Sequence, residues 1–239
     1  MATPEMQDTN DSDRDTQTNA SSSPSGAAGG VKTAAEEIPA ENLMHGDGHA
    51  AIPQIPSITS DGSIEVDELS PADFEPDDLR QRLRTMMLSR RLDEKMMTLL
   101  KQGEGHFHIG CAGHEAVQSA LSRYSRPGEG PGHDWFCFYY RDLCMALSLG
   151  MTTKEALLAH LAKADDPNSG GRQMPEHFGL KHLNVMTTAS SVGAQFNPGV
   201  GFGFGIQQRG EDSYVYISCG DGATSQGDFH EALNWAARE

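Results

Sequence analysis

The sequence predicts an α/β fold with a mainly parallel sheet flanked by helices. Three observations carry this expectation. Apolar segments with helical spacing alternate with short strand-like runs. The run DSYVYISC (212–219) is apolar, β-branched and aromatic, as a parallel strand covered on both faces requires. The segment DFHEALNWAAR follows almost directly, with Phe229, Leu233 and Ala236 on one helical face. The predicted fold occupies residues 71–239, and no internal repeat is present.

Residues 1–70 read differently. MATPEMQDTNDSDRDTQTNASSSPSGAAGG and the stretch after it are rich in acidic, small and hydroxyl residues. Such a composition cannot bury enough apolar surface to offset the entropy of ordering, so an acidic, disordered N-terminal extension is expected. The formal net charge of −16 argues against a nucleic-acid partner, which calls for a basic patch. No apolar run approaches the ~20 residues of a membrane span. The N-terminus has neither a basic-then-apolar signal nor the basic character of a transit peptide, so a cytoplasmic location is expected. Cys111, Cys137, Cys144 and Cys219 form no CxxC pair and read as buried free thiols in a reducing compartment.

Order is expected to begin in SPADFEPDDLRQRLRTMMLSRRLDEKMMTLLKQG (70–103). Pro76 suits a first helical turn, and Asp77 and Asp78 favour the positive end of the helix dipole. Leu79, Leu83, Met86 or Met87, Leu92, Met96, Leu99 and Leu100 follow helical spacing, and Gly103 is placed to end the helix. The methionines read as core filler. GHEAVQSALSRY (113–124) reads as a second helix with Ala116, Val117, Ala120 and Leu121 inward. WFCFYYRD (135–142) is strand-like and aromatic. MTTKEALLAHLAK (151–163) opens on a capping box, Thr152 with Glu155, and carries a stripe of Leu157, Leu158 and Leu161. ADDPNSGGRQMPEHFG (164–179) is a polar, glycine-rich loop.

The chemistry concentrates after the last strand. In open parallel sheets, ligands bind beyond the carboxyl ends of strands, where Gly220, Asp221 and Gly222 stand. The glycines permit a tight turn and close backbone approach. Free N–H groups at the next helix start can face a phosphate, and Asp221 offers a hard oxygen to Mg²⁺. The triplet alone is weak, since Gly46, Asp47 and Gly48 repeat it in the acidic extension with no strand before it. A nicotinamide dinucleotide site is disfavoured: in NPGVGFGFG (197–205), Ile206 stands where G-x-G-x-x-G needs its third glycine.

Four motifs occur in one order: YYRD at 139–142, GGRQMPEHFG at 170–179, SSVGAQ at 190–195 and CGDGATSQGDFHEALNWAA at 219–237. Together, over roughly residues 75–239, they resemble the alpha component of thiamine-diphosphate-dependent 2-oxo acid dehydrogenases, the pyruvate and branched-chain family. The resemblance implies a thiamine-diphosphate-binding fold with Mg²⁺. It implies that Tyr140 and Arg141 contact the cofactor diphosphate, and a guanidinium is suited to that by its permanent charge and planar donor fork. It implies that Ser190 and Val192 reach the cofactor from the other side. Gly220, Asp221, Gly222 and Ala223 match the diphosphate–Mg²⁺ turn, with Asp221 as metal ligand. His108, in GHFHIGCAGHEA, matches a position near the active-site mouth and is the candidate catalytic residue. Gln173 and His177, in the glycine-rich loop, are candidates to face the substrate channel. Glu115 reads as structural, and His230 and Glu231 as a solvated helix face. GRQMPEHFG resembles branched-chain enzymes and VGAQ pyruvate enzymes, which leaves both substrates open. Implied partners are a beta subunit or fused beta region, which supplies the Glu that activates the aminopyrimidine, and a lipoyl-bearing E2 acyltransferase.

Departures from the family pattern set two further expectations. Asn197–Pro198 places its proline one residue late, and alternating glycines occupy what is normally a small-residue helix. Each glycine inside a helix costs about 1 kcal/mol relative to alanine. Either close helix–sheet packing offsets this or the segment is irregular. The family's Asn-containing second half-motif and catalytic-loop histidine are not found in this sequence, so a fold incomplete at its C-terminus is expected. The alternative function is a non-catalytic fragment or assembly subunit that keeps the fold and the partner surface.

Overall fold

The computed structural model describes residues 57–58, 64–65 and 74–239. The Gly46–Asp47–Gly48 triplet and the rest of the expected disordered extension lie outside the described residues, except at 57–58 and 64–65, where the backbone is strand and not disordered. Two short strands, β1 (Ser57–Ile58) and β2 (Ile64–Glu65), pair antiparallel. Among the described residues six α-helices follow: α1 (Pro76–Lys101), α2 (Glu115–Ser122), α3 (Leu143–Leu149), α4 (Thr153–His160), α5 (Phe196–Arg209) and α6 (Gly227–Ala236). Strand β3 (Trp135–Cys137) precedes α3, and β4 (Val215–Ile217) lies between α5 and α6.

The parallel arrangement is the one expected. β3 pairs parallel with β4 in the register Trp135↔Val215, Phe136↔Tyr216, Cys137↔Ile217. On its other side Phe136 makes a parallel bridge with Val185. There the Phe136 N–H donates to the Asn184 carbonyl at 3.1 Å, and the Met186 N–H donates to the Phe136 carbonyl at 2.8 Å. Three parallel segments therefore lie side by side, in the order Val185, β3, β4.

Alternation along the strands separates two cores. Phe136 stacks on Tyr216 with ring centroids 5.3 Å apart, and Phe136 faces a cluster that includes Leu92, Met96, Leu143, Met145 and Leu180. On the opposite face Trp135 stacks on Phe202 of α5 at 4.6 Å. Ile217 joins a smaller core of Phe196, Ala223 and Ala232 between α5 and α6.

The glycine-rich segment is a regular helix, and close packing accounts for one of its glycines, Gly199. A Cβ placed on Gly199 would lie 2.5 Å from Ile217 Cδ1 and 3.3 Å from Cys137 Sγ. Gly205 meets nothing. Gly199→Ala is therefore expected to cost about 1–3 kcal/mol through overpacking. Gly205→Ala is expected to stabilise by up to about 1 kcal/mol through helix propensity. Urea unfolding of the two variants checks this, and a Gly199→Ala protein as stable as Gly205→Ala would contradict it.

Helix α1 starts at Pro76 with Asp77 and Asp78 in its first turn, and Thr152 and Glu155 form the capping box of α4, both as expected. Several predicted faces are turned the other way. α2 buries Glu115, Gln118, Ser119 and Ser122, while Val117 is 67% exposed and Leu121 42%. Satisfied polar contacts explain the reversal. Arg90 Nε lies 2.6 Å from Glu115 Oε1, and Gln118 Nε2 donates to Asp142 Oδ1 at 3.0 Å and to the Arg141 carbonyl at 2.9 Å. In α1 the buried stripe is Ser89, Leu92, Asp93 and Met96, while Leu79, Leu83 and Met87 are exposed. Asp93 draws that stripe inward by accepting from the Cys111 N–H at 2.9 Å. α6 buries Ala232 and leaves Leu233 exposed, and β4 is half-buried, since α5 and α6 cover it from one side only. The four cysteines are free thiols, and three of them are buried.

The amino ends of β3 and β4 are tied by one carboxylate. Asp134 is fully buried and accepts from the Tyr214 N–H at 2.9 Å, the Arg126 N–H at 2.8 Å and Arg126 Nη2 at 3.0 Å. No described helix is long and apolar enough to cross a membrane.

Candidate functional site

The three parallel segments release their chains at one edge. β3 runs into Tyr139–Asp142, β4 into Ser218–Gly222, and the segment after Val185 into Thr188–Val192. Three of the four motif segments singled out in the sequence thus lie at the carboxyl edge, where parallel sheets bind ligands.

Asp142 and Gln195 knit these loops together. Asp142 Oδ2 accepts from the Tyr139 N–H at 3.0 Å and from the Ser218 hydroxyl. Gln195 Nε2 donates to the Ser218 carbonyl at 2.8 Å. The Thr188 hydroxyl donates to the Phe138 carbonyl at 2.9 Å. A cavity of about 220 Å³ opens beside this edge, lined by His114, Gln118, Tyr139, Asp142, Ser218 and Cys219, among others. Asp142 closes the YYRD motif and Gln195 the SSVGAQ motif, but the bonds they make between loops follow only from the fold.

Burial pushes the Asp142 carboxyl up to about 6, against the hydrogen bonds of Ser218 and the Tyr139 N–H, which pull it down. The folded value lies above the ordinary 3.8, so the folded protein holds this proton more tightly than the unfolded chain. This contribution to stability is fully present at low pH. It is lost as pH rises from about 4 through about 6, by an amount on the order of 3 kcal/mol. Asp142→Asn removes the titration. Urea midpoints of parent and variant are expected to diverge across that window, and parallel pH profiles would contradict the assignment.

The predicted cofactor residues divide by exposure. Arg141 is half-buried, its guanidinium donates to the Gly110 carbonyl, and it lies over the Tyr140 ring at 5.4 Å from the centroid. Among the described residues it pairs with no carboxylate, unlike Arg82, Arg90, Arg123 and Arg126. Its charge is thus left for an anion. Asp221 is exposed and begins a 3₁₀ turn, Asp221–Ser225, directly before α6. Gly222 has open space where a side chain would be, Gly220 lies against the Tyr139 ring, and Ala223 is buried beneath. A hard oxygen, an unneutralised guanidinium and an open backbone turn form a donor set that fits a metal-bound diphosphate.

Val192 is 55% exposed, and Ser190 is exposed with its hydroxyl 2.8 Å from His177 Nε2. The other nitrogen of His177 lies 3.1 Å from the Pro175 carbonyl, which makes Nδ1 the donor and Nε2 the acceptor of the Ser190 proton. His177 therefore reaches the carboxyl edge through Ser190.

His108 sits behind this edge rather than on it. Its side chain is 1% exposed, with Nδ1 2.7 Å from Glu176 Oε1 and Nε2 3.0 Å from Asp93 Oδ1. Burial pulls its pKa down, but Glu176 and Asp93 outweigh burial and leave it raised. It is linked to the edge on two sides. Arg141 bonds Gly110, two residues on, and Glu176 precedes His177. The 164–179 segment is an irregular loop, as predicted. Asp166 organises it by accepting from the Asn168, Ser169 and Gly171 backbones and from the Asn168 and Ser169 side chains.

Comparison with known proteins identifies the family. Residues 83–238 match the family described as "Dehydrogenase E1 component". Over 158 residues the chain is 41% identical to the 2-oxoisovalerate dehydrogenase subunit alpha of Bacillus subtilis, covering 64% of this chain and 46% of that protein. It is 30% identical over 180 residues to the pyruvate dehydrogenase E1 component subunit alpha of Staphylococcus epidermidis, covering 75% of this chain and 44% of that protein. The Staphylococcus aureus protein of the same name matches at the same identity and coverage. The chain spans about half the length of these relatives.

Proposed function

This chain belongs to the dehydrogenase E1 component family, and on that premise we propose that it forms the alpha-type cofactor-binding part of a thiamine-diphosphate-dependent 2-oxo acid dehydrogenase. The observation that carries the reading is the convergence of the Tyr140–Arg141, Ser190–Val192 and Gly220–Ala223 segments at one edge of a parallel sheet.

Arg141 donates to diphosphate oxygens, and its stacking on Tyr140 and its bond to Gly110 hold the fork in place. Asp221 supplies one oxygen to Mg²⁺, whose remaining positions suit phosphate oxygens and water. Ser190 and Val192 present the opposite wall. When bound, thiamine diphosphate supplies carbanion chemistry for the decarboxylation of a 2-oxo acid. The proposed partners are a beta subunit or fused beta region and a lipoyl-bearing E2 that accepts the acyl group.

The proposed substrate is a branched-chain 2-oxo acid. Identity of 41% with the 2-oxoisovalerate relative against 30% with the pyruvate relative supports this choice. The test has two stages. Calorimetric titration with thiamine diphosphate and Mg²⁺ should show saturable, Mg²⁺-dependent binding by the assembled E1. The assembled E1 should then decarboxylate 2-oxoisovalerate with a higher kcat/KM than pyruvate. Binding without that preference overturns the substrate alone, and absence of binding overturns the reading.

A further inference from the structure

A second group of polar side chains is buried behind the cofactor edge and serves no part of that reading. His108, His160 and Glu176 are buried, and one ligand atom from each lies within 4.8 Å of the others. They come from three separate segments: the loop after α1, the C-terminus of α4, and the glycine-rich loop before Ser190. We propose that these three side chains bind one Zn²⁺ ion, with Asp93 orienting His108 from behind.

Both ring nitrogens of His160 and Glu176 Oε2 are buried without a hydrogen-bond partner. Buried polar atoms are almost always paired, and unpaired ones gathered in one cluster ask for a partner. A metal ion supplies one for Glu176 Oε2 and for whichever His160 nitrogen carries the lone pair, since a neutral imidazole has one N–H and one lone pair.

Two imidazoles and one carboxylate make a set used by zinc, which leaves a fourth tetrahedral position for water. Tetrahedral ligand atoms about 2.1 Å from zinc lie roughly 3.4 Å apart. His108 Nδ1 and Glu176 Oε1 are 2.7 Å apart in a hydrogen bond that opens when the ion enters, and Glu176 ligates through its unpartnered Oε2. Without metal, His108 Nδ1 donates a proton to Glu176; zinc takes the place of that proton, which leaves to solvent. Burial and the nearby His108 depress the pKa of His160, which keeps it neutral as a ligand must be.

His108 Nε2 lies 3.0 Å from Asp93 Oδ1, so its N–H keeps that partner when zinc displaces the Nδ1 proton, the carboxylate–histidine arrangement typical behind a metal ligand. Glu176 is held at φ +61°, a left-handed conformation unfavourable for a side chain of its length. Gly105 leaves room beside His160: a Cβ there would stand 2.5 Å from Nε2.

The ion would brace the site without entering its chemistry. Glu176 neighbours His177, which bonds Ser190, and His108 lies two residues from Gly110, which bonds Arg141. The test uses the full chain, stripped with chelator and titrated with Zn²⁺ against a competing chromophoric chelator, with no thiamine diphosphate present. One zinc ion per chain and a higher thermal midpoint are expected. Glu176→Gln keeps an acceptor for His108 but removes the anionic ligand. It should weaken binding by more than the roughly 10- to 100-fold that loss of an outer partner costs. Gly105→Ala, which changes no ligand, should also weaken it. Equal zinc affinity in parent and Glu176→Gln overturns the proposal. If that variant does not fold, Co²⁺ added to the parent decides: a tetrahedral spectrum without thiolate charge transfer supports the site, and any other spectrum overturns it.

Discussion

Thiamine diphosphate binding by an assembled E1 carrying Asp221→Asn is expected to fall by about tenfold or more at limiting Mg²⁺, a loss of about 1.4 kcal/mol or more, and to recover in part as Mg²⁺ is raised. The carboxylate is exposed at the start of the 3₁₀ turn that follows β4. Asparagine keeps the shape and one carbonyl oxygen but loses the charge that competes with water for Mg²⁺, a cation that dehydrates reluctantly. Mass action at high Mg²⁺ then restores part of the occupancy. Arg141→Ala behaves differently. It removes a charge-assisted donor to phosphate, so its loss is not repaired by Mg²⁺. Titrations at several Mg²⁺ concentrations separate the two signatures. Asp221→Asn binding as tightly as the parent at limiting Mg²⁺ would remove the metal role of Asp221, and Mg²⁺ rescue of Arg141→Ala would remove the diphosphate role of Arg141.

Motif residues after strands were legible in the sequence, because a parallel strand followed by Gly–Asp–Gly carries its position with it. Helix existence was legible too, through Pro76, the Thr152–Glu155 box and periodicity. The inward face of α2 was not. Hydrophobic spacing pointed to Val117 and Leu121, yet Glu115 and Gln118 are buried because Arg90, Asp142 and the Arg141 carbonyl satisfy them. A buried polar face is stable only when its partners arrive from other segments, and periodicity is blind to those partners. The same reason hid His160 and Glu176. Each is an ordinary residue in its own stretch, and only the fold brings α4 and the loop before Ser190 against His108. The helical glycines are legible as an anomaly, and the contact with Ile217 explains Gly199, whereas Gly201 and Gly205 face open space.

The largest stability effect is expected at the other end of the same strands. Asp134 is fully buried and serves three donors at once: the Tyr214 N–H, the Arg126 N–H and the Arg126 guanidinium. Asp134→Ala leaves two amides and a partly buried cation without their acceptor. Breaking a buried pair from one side costs about 3–5 kcal/mol, a large share of the roughly 5–15 kcal/mol that holds a domain together. Asp134→Asn should fall between, since its oxygen can still serve Tyr214 and Arg126 Nη2 while its NH₂ faces the Arg126 N–H. Asp212 is the control. It also meets Arg126, at 3.4 Å, but its side chain is 93% exposed, so Asp212→Ala should change stability by less than about 0.5 kcal/mol. Urea unfolding measures all three, and hydrogen exchange at the Tyr214 and Trp135 amides reports the local opening of β3 from β4. Asp134 lies at the amino ends of the strands and the cofactor loops at their carboxyl ends. Asp134→Asn, where it folds, should therefore lower the unfolding midpoint while the affinity for thiamine diphosphate stays near that of the parent. An Asp134→Ala protein within about 1 kcal/mol of the parent would show that the buried carboxylate is not what ties β4 to the sheet.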